Sequence, residues 1–183
     1  MSAPASGLAG KTALVTGGSR GIGRAIVERL AADGMDVTFF YAGNTDAADA
    51  AVAAGNAAGR AIRADKVDIR DAQACVDAVE RVIERRERID VLVNNAGVIR
   101  DNLLVALEPD DVATVLDTNV TGLFNVTRAV APHMTARRSG CIVNLSSVAA
   151  TRGGRGQSNY AASKGAIEAL TRAMAVEIGP RKI

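Results

Sequence analysis

KTALVTGGSRGIG, residues 11–23, decides the architecture. Residues 11–16 carry Ala13-Leu14-Val15, an apolar run without alternation, as a strand buried on both faces requires. The chain then meets three spaced glycines and resumes with a helical pattern over residues 21–33, stopped by Gly34. A strand that turns tightly into a helix presents backbone N–H groups at the helix N-terminus, where a pyrophosphate can be held. Side chains would block that approach, so Gly17, Gly21 and Gly23 have a physical reason to be glycine, with Ser19, Arg20 and Ile22 between them. The spacing is G-x-x-x-G-x-G, and no Lys-Ser/Thr follows, so this is not a triphosphate-binding loop.

Working outward, short apolar runs alternate with longer helical ones. Strands are predicted over residues 36–41, 59–63, 89–93 and 141–145. Helices are predicted over 45–58, 71–88, 110–136 (one long helix or a broken pair, with Pro132 near its end) and 157–179. In the first helix Ile22, Ala25, Ile26, Arg29 and Leu30 mark one face. Strict βαβα order implies an α/β fold, a doubly wound parallel sheet of Rossmann type, in a single domain spanning residues 1–183.

Composition excludes several classes. The 183 residues are 48% hydrophobic and 23% charged, which is globular, and with 3% aromatics the core must be aliphatic. A net charge of +2 gives no footprint for nucleic acid or a membrane surface. Cys75 and Cys141 lack metal-ligand spacing and read as buried core thiols; the lone His133 supports neither a metal cluster nor a His-centred triad, so no metal is expected. The first ten residues carry no signal-peptide pattern and no apolar run is long enough to span a membrane, which points to a cytoplasmic protein.

The end of the second strand tests the nucleotide. Folds that bind NAD place an acid there for the ribose 2′-OH. Here Tyr41-Ala42-Gly43-Asn44 has none before Asp46, and Arg20 in the glycine turn could pair with a 2′-phosphate, so the expected cofactor is NADP(H).

Chemistry concentrates near the C-terminus. Tyr160 and Lys164 are four residues apart and share a helix face. A free tyrosine titrates near about 10, and an adjacent ammonium favours the phenolate, which suits a general acid for a carbonyl. Ser147 lies thirteen residues before Tyr160, just after the fifth strand, where a hydroxyl can meet a developing alkoxide. Ser146 is its neighbour and decoy. Asn119 sits mid-helix, where Asn is a mediocre helix former.

Taken together, TGGSRGIG, the Asn94-Asn95-Ala96-Gly97 run and the Asn119, Ser147, Tyr160 and Lys164 set resemble the short-chain dehydrogenase/reductase family, from Leu8 to Ile183. The resemblance implies that Tyr160 donates a proton as hydride leaves the nicotinamide, and that Ser147 polarises the substrate. It implies that Lys164 binds the nicotinamide ribose and lowers the Tyr160 pKa, while Asn119 supports a water linking Lys164 to solvent. Asn95, Ala96 and Gly97 would lie along the cofactor. Asp68 would meet the adenine, with Ile69 beside it; Asp65 is the alternative. NNAGVIRDNLL (residues 94–104) and DTNVTGLFNVT (117–127) look like reductases of 3-oxoacyl thioesters, bound to acyl carrier protein or CoA, in fatty acid or related polyketide synthesis. Arg138 and Arg181 fall where such reductases dock the acidic carrier. A homo-oligomer through the long helices is also implied.

The family continues further: a sixth strand, a proline-glycine segment over the nicotinamide, a substrate-covering helical region and a seventh strand. The chain is therefore expected to be C-terminally short, with its fifth strand an open edge. Reduction of another ketone, or a non-catalytic cofactor-binding or partner subunit, are the alternatives.

Overall fold

The computed structural model describes residues 7–183. Five strands, β1 (Thr12–Thr16), β2 (Asp36–Tyr41), β3 (Ile62–Lys66), β4 (Val91–Asn94) and β5 (Cys141–Asn144), form one parallel sheet in the order β3-β2-β1-β4-β5. The chain winds outward from β1 to β3, returns to β4 beside β1, and winds out the other way to β5. The reversal leaves a crevice at the carboxyl ends of β1 and β4, the switch point at which doubly wound sheets bind ligands.

The sheet is covered on both faces. One core joins Ala13, Val15, Val37 and Phe39 to Val27 and Ala31 of α1 (Gly21–Ala32) and to Ala48 and Ala51 of α2 (Thr45–Ala57). The other joins Leu14, Phe40 and Leu92 to Val79 and Val82 of α3 (Ala72–Arg86) and to Val126, Val130 and Met134 of α5 (Gly122–Arg137). The short α4 (Pro109–Leu116) leads into α5 through a π turn, Asp117–Thr121. The last helix, α6 (Ser158–Ile178), packs on α4, on that turn and on the 3₁₀ turn Val148–Ala150.

Three expectations are corrected. The core face of α1 is Gly23, Val27 and Ala31, whereas Ile22 is 67% exposed. Gly23 packs so closely on the glycine turn that it sets the helix rotation and turns Ile22 outward. The third strand begins three residues later than predicted. Gly59 has φ +68° and ends the α2 turn, and the charges of Arg63, Asp65 and Lys66 masked an edge strand. Cys75 is buried, and burial pushes its thiol up to about 11, but Cys141 is exposed because it opens the edge strand β5.

Asp90 anchors the lead-in to β4. Its Oδ2 accepts the Thr12 N–H at 2.9 Å and its Oδ1 accepts Arg88 Nε at 2.9 Å. Burial alone would raise its pKa, but the Arg88 guanidinium and the Thr12 N–H prevail and hold it below the ordinary carboxylate value. Its contribution to stability is therefore full above the unfolded value of about 3.9 and is lost as pH falls through the folded value. Asp90→Asn is expected to cost about 2 kcal/mol at neutral pH. In urea titrations the gap to the unsubstituted chain should close below about pH 4.

Candidate active site

The glycine turn is held from two sides. Gly17, at φ +70°, and Gly18 both donate their N–H to Phe40 O, at 2.8 and 3.3 Å. From β4, Asn95 Nδ2 donates to Thr16 O at 2.9 Å and Gly17 O at 3.1 Å, and the amides of Asn95 and Ala96 donate to Thr16 Oγ1. A Cβ on Gly23 would lie 2.2 Å from Gly17 O and 2.4 Å from Asn95 Nδ2, so no side chain fits there.

The helix that follows has no side-chain cap. Asn44 caps α2 by accepting Ala47 N–H at 2.9 Å, and Asp71 caps α3 by accepting Ala74 N–H at 3.0 Å. At α1 the capping position is Arg20, extended at φ −152°, and its side chain makes no such bond. The first-turn donors of α1 thus face a cleft of about 760 Å³. Its walls are the glycine turn, Tyr41–Asn44, Val67–Arg70 and Asn95–Val98, with Arg100, Thr114 and Thr118. An uncapped helix, a side-chain-free cradle and a volume in the range of cofactor sites fit a dinucleotide. A second cleft, about 620 Å³, opens at the opposite, amino end of the strands among Arg60, Glu84 and Arg88, away from every predicted site residue.

Arg20 is exposed at the rim of the main cleft and forms no salt bridge among the described residues. Asp68 follows β3 and lines the cleft, whereas Asp65 lies within the strand and pairs with Arg85 at 3.3 Å, which separates the two alternatives. The Asp68 carboxylate accepts Arg70 Nε and Nη2, the latter at 2.6 Å, and this pairing lowers its pKa. Ile69 is buried beneath Gly122, so its side chain serves the core and only its backbone can face a ligand.

Two of the remaining predicted residues, Asn119 and Lys164, meet at Gly97. A Cβ there would sit 3.2 Å from Asn119 Oδ1 and 3.7 Å from Lys164 Nζ. Asn119 is 1% exposed in the π turn. Its Oδ1 accepts Val98 N–H at 2.8 Å, and its Nδ2 donates to Val98 O and to Ser163 Oγ, both at 3.0 Å. Both amide protons are engaged and Oδ1 keeps one lone pair. Lys164 is buried; its Nζ donates to Leu145 O at 2.8 Å and stands 5.7 Å from the Tyr160 ring centroid. Burial lowers the Lys164 pKa. Ser147 Oγ accepts Ala149 N–H at 3.2 Å, leaving its own proton free to donate. Ser146 faces the other way and donates to Glu168 Oε1 at 2.9 Å. Asn119, Ser147, Tyr160 and Lys164 do not themselves line the cleft; Gly97, which Asn119 and Lys164 approach, does.

Sequence reasoning missed the residues that hold this set together. Buried Asn159 accepts Tyr160 N–H at 2.7 Å and donates to Arg100 O at 2.8 Å. Ser163 donates to Tyr160 O at 2.7 Å. Gln157 bonds Asp101, and Asn102 N–H donates to Gly156 O. The only advance signal was an excess of amides flanking Tyr160. Arg138, in the left-handed conformation after α5, donates to Pro180 O at 3.0 Å, which brings it beside Arg181; both are exposed.

A parallel sheet with a nucleotide cleft at its switch point, and a Tyr-Lys helix beside it, define a dinucleotide-dependent oxidoreductase. The short chain dehydrogenase family model matches residues 11–183, so the chain belongs to the short-chain dehydrogenases. It is 42% identical over 173 residues to a 3-oxoacyl-[acyl-carrier-protein] reductase of Staphylococcus aureus, covering 94% of this chain and 70% of that enzyme. It is also 42% identical over 176 residues to the Synechocystis 3-oxoacyl-[acyl-carrier-protein] reductase, covering 96% and 71%. Among solved structures, a Serratia marcescens short-chain dehydrogenase/reductase superposes with a TM-score of 0.90 at 42% identity, covering 95% of this chain and 71% of that one. A Burkholderia cenocepacia short-chain dehydrogenase in complex with NADP superposes at 0.88 and 44%, with the same coverages.

Proposed function

We propose that this chain is an NADP(H)-dependent reductase that converts a 3-oxoacyl thioester, bound to a carrier protein or CoA, into the 3-hydroxyacyl form. The convergence of Asn119, Lys164 and Gly97 at the end of an uncapped glycine-turn cleft, beside Tyr160, carries this reading. The names of the two reductase relatives support the substrate class.

When bound, NADPH would supply the hydride that the carbonyl carbon accepts. Tyr160 gives its phenolic proton to the carbonyl oxygen, and Ser147, its oxygen steadied by Ala149 N–H, donates a second hydrogen bond there. Lys164 has one ammonium proton on Leu145 O and two left for the ribose hydroxyls. Its ammonium, 5.7 Å from the Tyr160 ring centroid, would offset negative charge that develops on the phenol oxygen during proton transfer. Asn119 ties the Val98 loop to α6, and its remaining lone pair can accept one water on the path that returns a proton to Lys164. First-turn amides of α1 would hold the pyrophosphate, with Gly17, Ser19, Gly21, Ile22 and Gly23 lining its bed; Asn95, Ala96 and Gly97 would flank the cofactor, and Asp68 with the Ile69 backbone would meet the adenine. A cytoplasmic homo-oligomer, paired through the helices that expose Phe124 and Val176, belongs to the same reading; no helix among the described residues is long and apolar enough to cross a membrane. Docking of an acidic carrier protein at Arg138 and Arg181 does too.

NADPH absorbance followed with acetoacetyl-CoA tests the reaction; absence of NADPH oxidation overturns it. Arg20 is expected to read the 2′-phosphate. Arg20→Ala should raise the KM for NADPH about tenfold and leave that for NADH unchanged. An equal loss for both nucleotides would remove Arg20 from that role.

A further inference from the structure

The loop between Ser147 and Tyr160 is Thr151-Arg152-Gly153-Gly154-Arg155-Gly156. Arg152 and Arg155 are each five residues from a proposed catalytic side chain. Both are exposed, and neither forms a salt bridge among the described residues. Arg63 and Arg86 pair with Asp36, Arg70 with Asp68 and Arg88 with Asp90, so those guanidinium groups are already engaged. The loop is also held in place. Gly156 O accepts Asn102 N–H at 2.9 Å, and Gln157 Nε2 donates to Asp101 at 3.0 Å, which fastens it to the segment after β4. That segment holds Arg100, whose carbonyl is held by Asn159 and which lines the main cleft. Arg152 and Arg155 thus sit on a loop fastened beside the segment that carries Arg100 and one acid, Asp101. The same two segments expose Ile99, Leu104, Val105 and Val148, of which Val105 is 94% and Leu104 74% exposed.

Exposed apolar residues and unpaired guanidinium groups on the same two segments suit a substrate with an apolar chain and an anionic head. Guanidinium matches phosphate oxygens by paired, charge-assisted hydrogen bonds. We infer that Arg152 and Arg155 form a subsite for the phosphate ester on the pantetheine arm of the thioester, with Arg100 adding to the local positive field. This inference rests on the reductase reading for its substrate. It adds an assignment of residues that the glycine turn and the Tyr160 set do not contain.

The test compares the chain with its Arg152→Ala/Arg155→Ala form, using two ketoacyl thioesters and NADPH. Acetoacetyl-CoA carries the arm phosphates; acetoacetyl-pantetheine is the same thioester and arm without them. The double variant should raise the KM for acetoacetyl-CoA about tenfold, with kcat held, an effect that shrinks with added salt. The KM for the phosphate-free thioester should not move. Equal changes for both substrates, or none for acetoacetyl-CoA, overturn the subsite.

Calorimetric titration of coenzyme A into the NADPH-loaded chain reads the subsite without turnover. Weakening on loss of the two arginines supports it, even if the chain reduces neither substrate and the reductase reading fails. Binding that is absent from the unsubstituted chain, or as tight without the arginines, sinks it. A carrier protein lacking its pantetheine arm separates the two sources of negative charge. If it displaces acetoacetyl-CoA from the unsubstituted chain but not from the double variant, the arginines read an acidic protein face and the phosphate assignment is wrong.

Discussion

Tyr160→Phe should lower kcat for the ketoacyl thioester about a thousandfold, within the range a positioned general acid supplies. The substitution removes one oxygen from a half-buried ring on α6. The backbone bonds that fix this residue, Asn159 to its N–H and Ser163 to its carbonyl, stay in place. Binding of NADPH, followed by the fluorescence of NADPH itself or by calorimetry, should therefore hold while turnover disappears. A Tyr160→Phe chain that turns over normally would remove Tyr160 from the chemistry. A variant that loses NADPH binding as well would make the phenol a structural group.

Gly23→Ala is expected to have the second large effect, on the cofactor and on folding together. The new methyl would meet the Gly17 carbonyl at 2.2 Å and the Asn95 amide at 2.4 Å. Neither neighbour is the loose end of a flexible side chain. The Gly17 carbonyl belongs to a turn whose N–H groups are bonded to Phe40, and the Asn95 amide also holds Thr16 O. The turn must shift, at a cost of about 3 kcal/mol, and the first-turn donors of α1 shift with it. Thermal denaturation should show the loss of stability, and NADPH titration a loss of affinity well beyond that of Arg20→Ala. Unchanged values of both would mean that the cradle is not where the pyrophosphate sits.

These two residues differ in how far the sequence foretold them. Gly23 was legible because its reason is local: a strand, a tight turn and a helix lie within thirteen residues, and the spacing alone demands side-chain-free positions. The strands β1 and β2 and the stop at Gly34 were legible for the same reason. Tyr160 with Lys164 was legible as an i, i+4 pair, and Ser147 through family likeness, which also chose it over Ser146. The structure gives that choice a mechanism, since Ser146 turns to Glu168 while Ser147 keeps a free proton.

The edge strand β3 was misplaced because charged residues on an edge do not look apolar. Ile22 was assigned to the wrong face because helix rotation is set by the partner it meets, not by its own period. Asn119 read as a poor helix residue; that its helix widens there into a π turn and delivers its amide to Val98 follows from packing against α6.

By itself the sequence determined the order of strands and helices, the glycine turn and the identity of the chemical groups, because these depend on contacts within a few residues. Only the tertiary structure decided that Asn119, Lys164 and Gly97 meet, that Asp68 rather than Asp65 faces the cleft, and that the loop carrying Arg152 and Arg155 is fastened beside the segment of Arg100. Those relations join segments tens of residues apart. They are fixed by sheet order and by the buried amides that fasten loop to loop, which no local pattern encodes.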